Sequence, residues 1–184
     1  MRVCIDPGHG GNDPGGGSLG RLEKNLVLQV QPLLWKLLAE LGHFCFTTRV
    51  KDEFVEIGDR AKYSNALEAD VFVSLHCNAS DSRASRGPWT LHAAVSTRGR
   101  ELAVAIQRNL AKATGGNPAS VYPDKSGWTS DRRLGVLWGT RAPAVLVELG
   151  FMTNPEEIRD LEDTLYQERL AGAIALGVDQ WSRG

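Results

Sequence analysis

The sequence predicts an α/β fold: a single-domain three-layer sandwich, with a mostly parallel, twisted six-stranded sheet and helices on both faces. Three observations carry this. Short apolar runs alternate with longer segments of helical periodicity along the chain. The run from Val71 to Leu75 is too continuously apolar to be half exposed and reads as a central strand. No repeat, low-complexity tract or linker divides the 184 residues, a length that suits one compact domain over 1–184.

Each element has its own signal. Residues 2–6 form a short apolar strand. A helix over 22–41 follows from Leu26, Val30, Leu33, Leu37 and Leu41, with Gly42 as its stop and Pro32 expected to kink it. Residues 44–50 read as a strand, 56–68 as a helix and 71–75 as the central strand. After a polar loop over 78–88, residues 89–95 give a fourth strand and 98–114 an amphipathic helix through Leu102, Ile106, Leu110 and Ala113. The stretch 115–130, rich in Gly, Pro and Ser, has the composition of a substrate-side loop, where Tyr122 and Trp128 can pack on a ligand. Residues 134–138 and 144–149 supply the last two strands. Asn154-Pro155-Glu156-Glu157 then offers an N-cap, a proline at the first helical position and a capping-box glutamate for a helix over 155–161, before a closing helix over 166–181.

Composition excludes several classes. The formal charge is −1 and basic residues are scattered, the densest group being Arg132-Arg133, so no nucleic-acid footprint appears. The apolar runs are far too short to span a bilayer, so no membrane insertion is expected. Met1-Arg2 leads directly into the first strand, which points to a chain made in the cytoplasm or to one whose leader lies outside this sequence. Cys4, Cys45 and Cys77 are odd in number and widely spaced, which favours buried, reduced thiols over a disulfide framework.

The chemistry concentrates where apolar strands are expected to give way to loops: His9 after Asp6-Pro7-Gly8, His76 after Ser74-Leu75, and Glu148 after Ala144-Val145-Leu146-Val147. Ligands in such folds sit beyond the carboxyl ends of the strands. A hydrolytic zinc site takes three His or carboxylate ligands and leaves a fourth position for water, and His9, Glu23 and His76 supply such a set. Plainer readings stand beside this one. Glu23 also fits a first-turn acid favoured by the helix dipole, and spacing alone favours that plainer role. His9 and His76 could be hydrogen-bonded strand-end histidines, and Glu148 could pair with Arg132 or Arg133. His43, after Gly42, reads as a surface or turn residue, while His92, inside the fourth strand, is a candidate substrate-side or second-layer group. A thiolate role for Cys77 is disfavoured, since adjacent strand residues face opposite ways. Gly15-Gly16-Gly17-Ser18-Leu19-Gly20 satisfies G-x-G-x-x-G, but it begins too far beyond the first strand for a dinucleotide loop.

Asp6-Pro7-Gly8-His9-Gly10-Gly11, Glu23-Lys24-Asn25-Leu26, Thr48-Arg49, Arg60, Val73 to Ala79 and Pro143 to Phe151 occur in order. Together they resemble the zinc-dependent N-acetylmuramoyl-L-alanine amidases, which include bacterial cell-wall amidases and phage endolysin catalytic domains. The resemblance runs over nearly the whole chain. It implies Zn2+ held by His9, Glu23 and His76, Glu148 as the catalytic carboxylate, and peptidoglycan as the partner, cut between N-acetylmuramic acid and L-alanine. Asn78, two residues past His76 on the same strand face, is a candidate to orient a ligand or substrate group.

Cys77 departs from the small residue usual in the family, a mild packing change. Some bacterial members carry an inserted helix before the core helix over 98–114 that plugs the site. Here Val95-Ser96-Thr97-Arg98 leaves no room for it, so an open site is expected. The favoured reading is a lytic amidase of the phage endolysin kind, a monomer with no separate wall-binding domain, acting on the wall after release. A sporulation or cell-division amidase is the near alternative. A non-catalytic wall-binding or regulatory module, or another zinc amidohydrolase such as a carboxypeptidase or deacetylase, are the competing classes.

Overall fold

The computed structural model describes residues 1–18, 20–125 and 134–184. Trp128, Arg132 and Arg133, singled out above, lie outside the described residues. The chain forms β1 (Arg2–Pro7), the short pair β2 (Gly17–Ser18) and β3 (Arg21–Leu22), α1 (Glu23–Glu40), β4 (Phe44–Thr47), α2 (Ile57–Ala66), β5 (Val71–Asn78), β6 (Trp89–Ala93), α3 (Thr97–Thr114), β7 (Val121–Asp124), α4 (Gly135–Gly139), β8 (Ala144–Phe151), α5 (Glu157–Glu162) and α6 (Thr164–Ser182). One six-stranded sheet has the order β4-β1-β5-β8-β6-β7. The first four strands in that order are mutually parallel, and β6 turns antiparallel to β8.

Alternation along the strands splits the interior into two layers. Val3, Ile5, Val71, Val73, Val145 and Val147 face α1, α3 and α6 in the larger core. Cys4, Phe72, Ala144 and Leu146 face the other way, in a smaller core closed by Val136 and Leu137 of α4. Helix α1 runs through Pro32 as one element, with Leu26, Val27, Val30, Leu34 and Leu38 on its buried face. Ser96 caps α3 by accepting the Gly99 N–H at 3.0 Å, and Gly115 ends it with φ 72°.

Two expected elements exchange places. Residues 134–138 are not a strand: α4 occupies Gly135–Gly139, because a run that short carries no period and its Val136 and Leu137 find their core on one helical face. The sixth strand is instead β7, inside the expected loop. Its Pro123 is tolerated because β7 is an edge strand. In the last connection, Asn154 Oδ1 accepts the N–H groups of Glu156 and Glu157 at 2.9 and 3.1 Å, as a cap should. The Glu157 carboxylate, however, does not close a capping box. It accepts the N–H groups of Phe151 and Gly87, both at 2.7 Å, tying β8 to the start of β6.

Candidate metal centre

The carboxyl ends of β1, β5 and β8 converge on one edge of the sheet. His9 follows β1 and Glu148 lies within β8, inside the strand expected over 144–149, whereas His76 lies within β5 and not beyond it, because β5 extends past the apolar run that marks it. His76 and Glu148 are register partners, and the next pair is Asn78 with Phe151. Two residues of β5 thus oppose three of β8, a bulge that brings Glu148 and Phe151 to the same face.

Glu23, the first residue of α1, completes the group. Its Oε1 lies 2.9 Å from His76 Nδ1 and 3.1 Å from His9 Nε2, and the two ring nitrogens are 3.1 Å apart. Oε1 also accepts the Cys77 N–H at 2.8 Å, and Oε2 accepts the Gly16 N–H at 2.7 Å. Burial raises the Glu23 pKa, but hydrogen bonds and charge from His76 and His9 overcome this and hold the carboxyl well below the usual range. The approach depends on glycines. Gly8 lies against the His76 ring, where a β-carbon would overlap Cε1. At Gly15 (φ 69°) one would stand 2.6 Å from His9 Cδ2 and 2.7 Å from Glu23 Oε2. Of the glycine run that imitates a nucleotide loop, Gly15 and Gly16 are the two that pack against Glu23.

A second layer fixes His9. Asp13 Oδ2 sits 2.8 Å from His9 Nδ1, and Asp13 Oδ1 accepts the Gly15 N–H at 3.0 Å. With a metal ion bound, that bond would keep the His9 proton on Nδ1 and turn the Nε2 electron pair toward the ion. His9 itself has φ 59°, a left-handed conformation costly for a residue with a β-carbon. Two buried arginines hold the turn there. Arg49 donates to the carbonyls of Pro7, Gly8, Lys24 and Lys51, and Arg60 to those of Pro7, His9 and Val55. Arg60 also pairs with buried Asp6 at 2.8 Å, and Asp6 accepts from Thr48 and Ser74 as well.

Other residues singled out from sequence are placed as follows. Asn78 lies at the end of β5, with Oδ1 accepting the Ala79 N–H at 2.9 Å. His92 is not brought to this centre: it pairs in register with Val145, faces the α3 side with Arg100 and Val104, and its Nδ1 contacts the Ala93 carbonyl. Cys77 turns into the larger core, and all three cysteines are buried and outside any disulfide. His43 is more buried than a surface turn residue; its Nε2 lies 3.4 Å from Asp179 of α6. Sequence reasoning passed over Asp13 and the roles of Asp6, Arg49 and Arg60. The one available signal was an acid and two arginines recurring among the motif segments.

The donor set suits a divalent ion. Three ligand atoms, from His9, Glu23 and His76, lie within 4.8 Å of one another, with His9 oriented by Asp13 and Glu23 by the Cys77 N–H. Two imidazole nitrogens facing one carboxylate oxygen form a ligand set of the kind found in hydrolytic zinc sites. A cavity of about 230 Å³ opens beside them, with Phe54, Val55, Ile57 and Val136 on its wall. No described helix is long and apolar enough to cross a membrane.

The family model described as N-acetylmuramoyl-L-alanine amidase matches residues 3–180. AmiC of Neisseria meningitidis serogroup B is 30% identical over 216 residues, taking in 97% of this chain and 52% of AmiC, so the chain spans about half the length of that relative. An N-acetylmuramoyl-L-alanine amidase from Clostridium difficile 630 superposes with a TM-score of 0.91 at 31% identity, covering 100% of this chain and 97% of that one. AmiC2 of Nostoc punctiforme gives 0.89 at 29% identity, with 100% and 98% covered. With the match running from the first strand into the last helix, and solved amidases overlaying the whole chain, this chain belongs to the N-acetylmuramoyl-L-alanine amidase family.

Proposed function

We propose that this chain hydrolyses the amide joining the lactyl group of N-acetylmuramic acid to the L-alanine of the stem peptide in peptidoglycan, with a zinc ion held by His9 Nε2, Glu23 and His76 Nδ1. The observation that carries the reading is the register pairing of His76 with Glu148, which sets a buried carboxylate one strand away from a three-ligand cluster. When bound, zinc supplies Lewis-acid polarisation of the amide carbonyl and acidifies a water molecule.

The protein's own residues do the rest. Glu148 takes a proton from the attacking water as the new C–O bond forms, and delivers it to the alanine nitrogen as the C–N bond breaks, so one carboxylate serves as base and then as acid. Asp13 keeps the His9 proton on Nδ1 throughout. The Arg49 and Arg60 clamp holds the Pro7 to His9 turn, and Gly8 lets the His76 ring approach it. Asn78, at the end of β5, would orient a substrate group.

Only residues 94–96 separate β6 from α3. That direct connection supports an open, lytic type of amidase, of which phage endolysins are one kind. The deciding experiment measures metal content and analyses digested peptidoglycan by mass spectrometry, for wild type and Glu148→Gln. Zinc near one equivalent and intact stem peptides freed with L-alanine amino termini are expected of the wild type. Release of terminal D-alanine or of acetate instead would reassign the reaction, and binding without any product would make the chain a wall-binding module.

A further inference from the structure

Beyond the metal cluster, the same face of the sheet carries an aromatic shelf. Trp89 is the register partner of Glu148, and Tyr122 that of Leu91, so all four side chains lie on one face. The Trp89 and Tyr122 rings are 4.6 Å apart at 42°, and Phe151 closes edge-on behind Trp89 at 5.1 Å and 82°. Phe151 is buried and reaches this face only because of the β8 bulge, whereas Tyr122 is 39% exposed. The shelf is braced from the opposite face. Buried Gln107 of α3 accepts from Thr90 Oγ1 and donates to the carbonyls of Pro88 and Asn117, pinning the starts of the two strands that present the rings.

We propose that Trp89 and Tyr122 form a stacking subsite for an N-acetylhexosamine ring of the glycan strand; this rests on the amidase reading and names where the sugar side of the substrate lies. Two inter-strand spacings separate Trp89 from His76, about 10 Å. That is the span of the lactyl arm and a pyranose ring beyond the scissile carbonyl. Trp89, Tyr122 and Phe151 bear no formal charge. They suit a neutral sugar that offers an apolar C–H face, and do not suit a stem peptide bearing carboxylates. The Tyr122 hydroxyl adds a polar handle at the exposed rim.

The test titrates the purified protein with two probes, glycan strands stripped of peptide and the free stem peptide. Wild type is expected to bind the glycan, and Trp89→Leu and Tyr122→Leu to weaken it about tenfold, while Tyr122→Phe retains it. Affinity for the free peptide is expected to be unchanged in all three. Tyr122, on the edge strand, keeps the test decisive should the Trp89 variant fail to fold. Glycan binding that ignores Tyr122→Leu, or a loss confined to the peptide probe, overturns the subsite. Release of L-alanine amino termini by wild type is scored separately. Release with unaltered glycan binding in the variants sinks the subsite alone, and weakened binding without any release by wild type supports the subsite while removing the amidase reading.

Discussion

His76 and Glu148 stand opposite one another across β5 and β8, one as a ring in the three-ligand cluster and the other as a buried carboxylate one strand away. Adjacent strands are about 4.8 Å apart, so the sheet itself sets the separation of the proposed metal ligand and the proposed proton carrier. Glu148→Gln keeps the shape and removes the base. It should lower kcat by roughly 10²- to 10⁴-fold with metal content unchanged, measured as stem-peptide release beside elemental analysis. Full turnover in this variant would remove Glu148 from the chemistry.

Chelation should lower the melting temperature, and added zinc should restore it. An ion bound only by the folded state stabilises it by about 2.7 kcal/mol at a hundredfold excess over its Kd. Thermal unfolding at graded zinc concentrations checks this, and a midpoint indifferent to zinc would contradict the proposed site.

Asp13→Ala should weaken metal affinity about 10- to 100-fold, because His9 then loses the group that orients its ring. Competition with a chromophoric chelator measures it.

Gly8→Ala and Gly15→Ala should both disturb the cluster, since each added β-carbon meets a ring or carboxylate. Overpacking of this sort costs about 1–3 kcal/mol. Denaturant midpoints and metal content should fall together, whereas Gly42→Ala, with nothing nearby, should cost only the strain of its positive φ and leave metal binding intact.

The acid limb of stability should depend on Asp6. Burial alone raises its pKa, but the Arg60 charge and hydrogen bonds from Thr48, Ser74 and Arg60 overcome this and depress it. A carboxyl depressed in the folded state contributes stability above its unfolded pKa of about 3.9, and loses that contribution as pH falls through the folded value. Asp6→Asn should therefore be less stable than wild type near neutrality, with the difference shrinking as pH drops below about 4. Urea unfolding across that range reads it out, and a difference independent of pH would refute the coupling.

The alternation of apolar runs and helical periods made the sheet and its covering helices legible, and the His and Glu residues near strand ends pointed to the edge where His9, Glu23 and His76 gather. What escaped was what depends on non-local pairing. Residues 134–138 and 121–124 are short runs whose assignment is decided by the core each one meets. That His76 lies within β5 depends on register, as does the position of Trp89 beside Glu148. The roles of Arg49 and Arg60 were hidden for another reason: most of their acceptors are main-chain carbonyls, which leave no trace in residue identity.

Those guanidinium groups have an evolutionary corollary. Among the described residues, all four acceptors of Arg49 belong to the peptide backbone, as do three of the four of Arg60. The turn bearing His9 is thus secured as a path through space and not as a set of side chains. Lysine, with a single point charge, could not reproduce either fork, so divergence should be tolerated at Asn12, exposed in the loop just after His9, long before it is tolerated at the two arginines that trace the path.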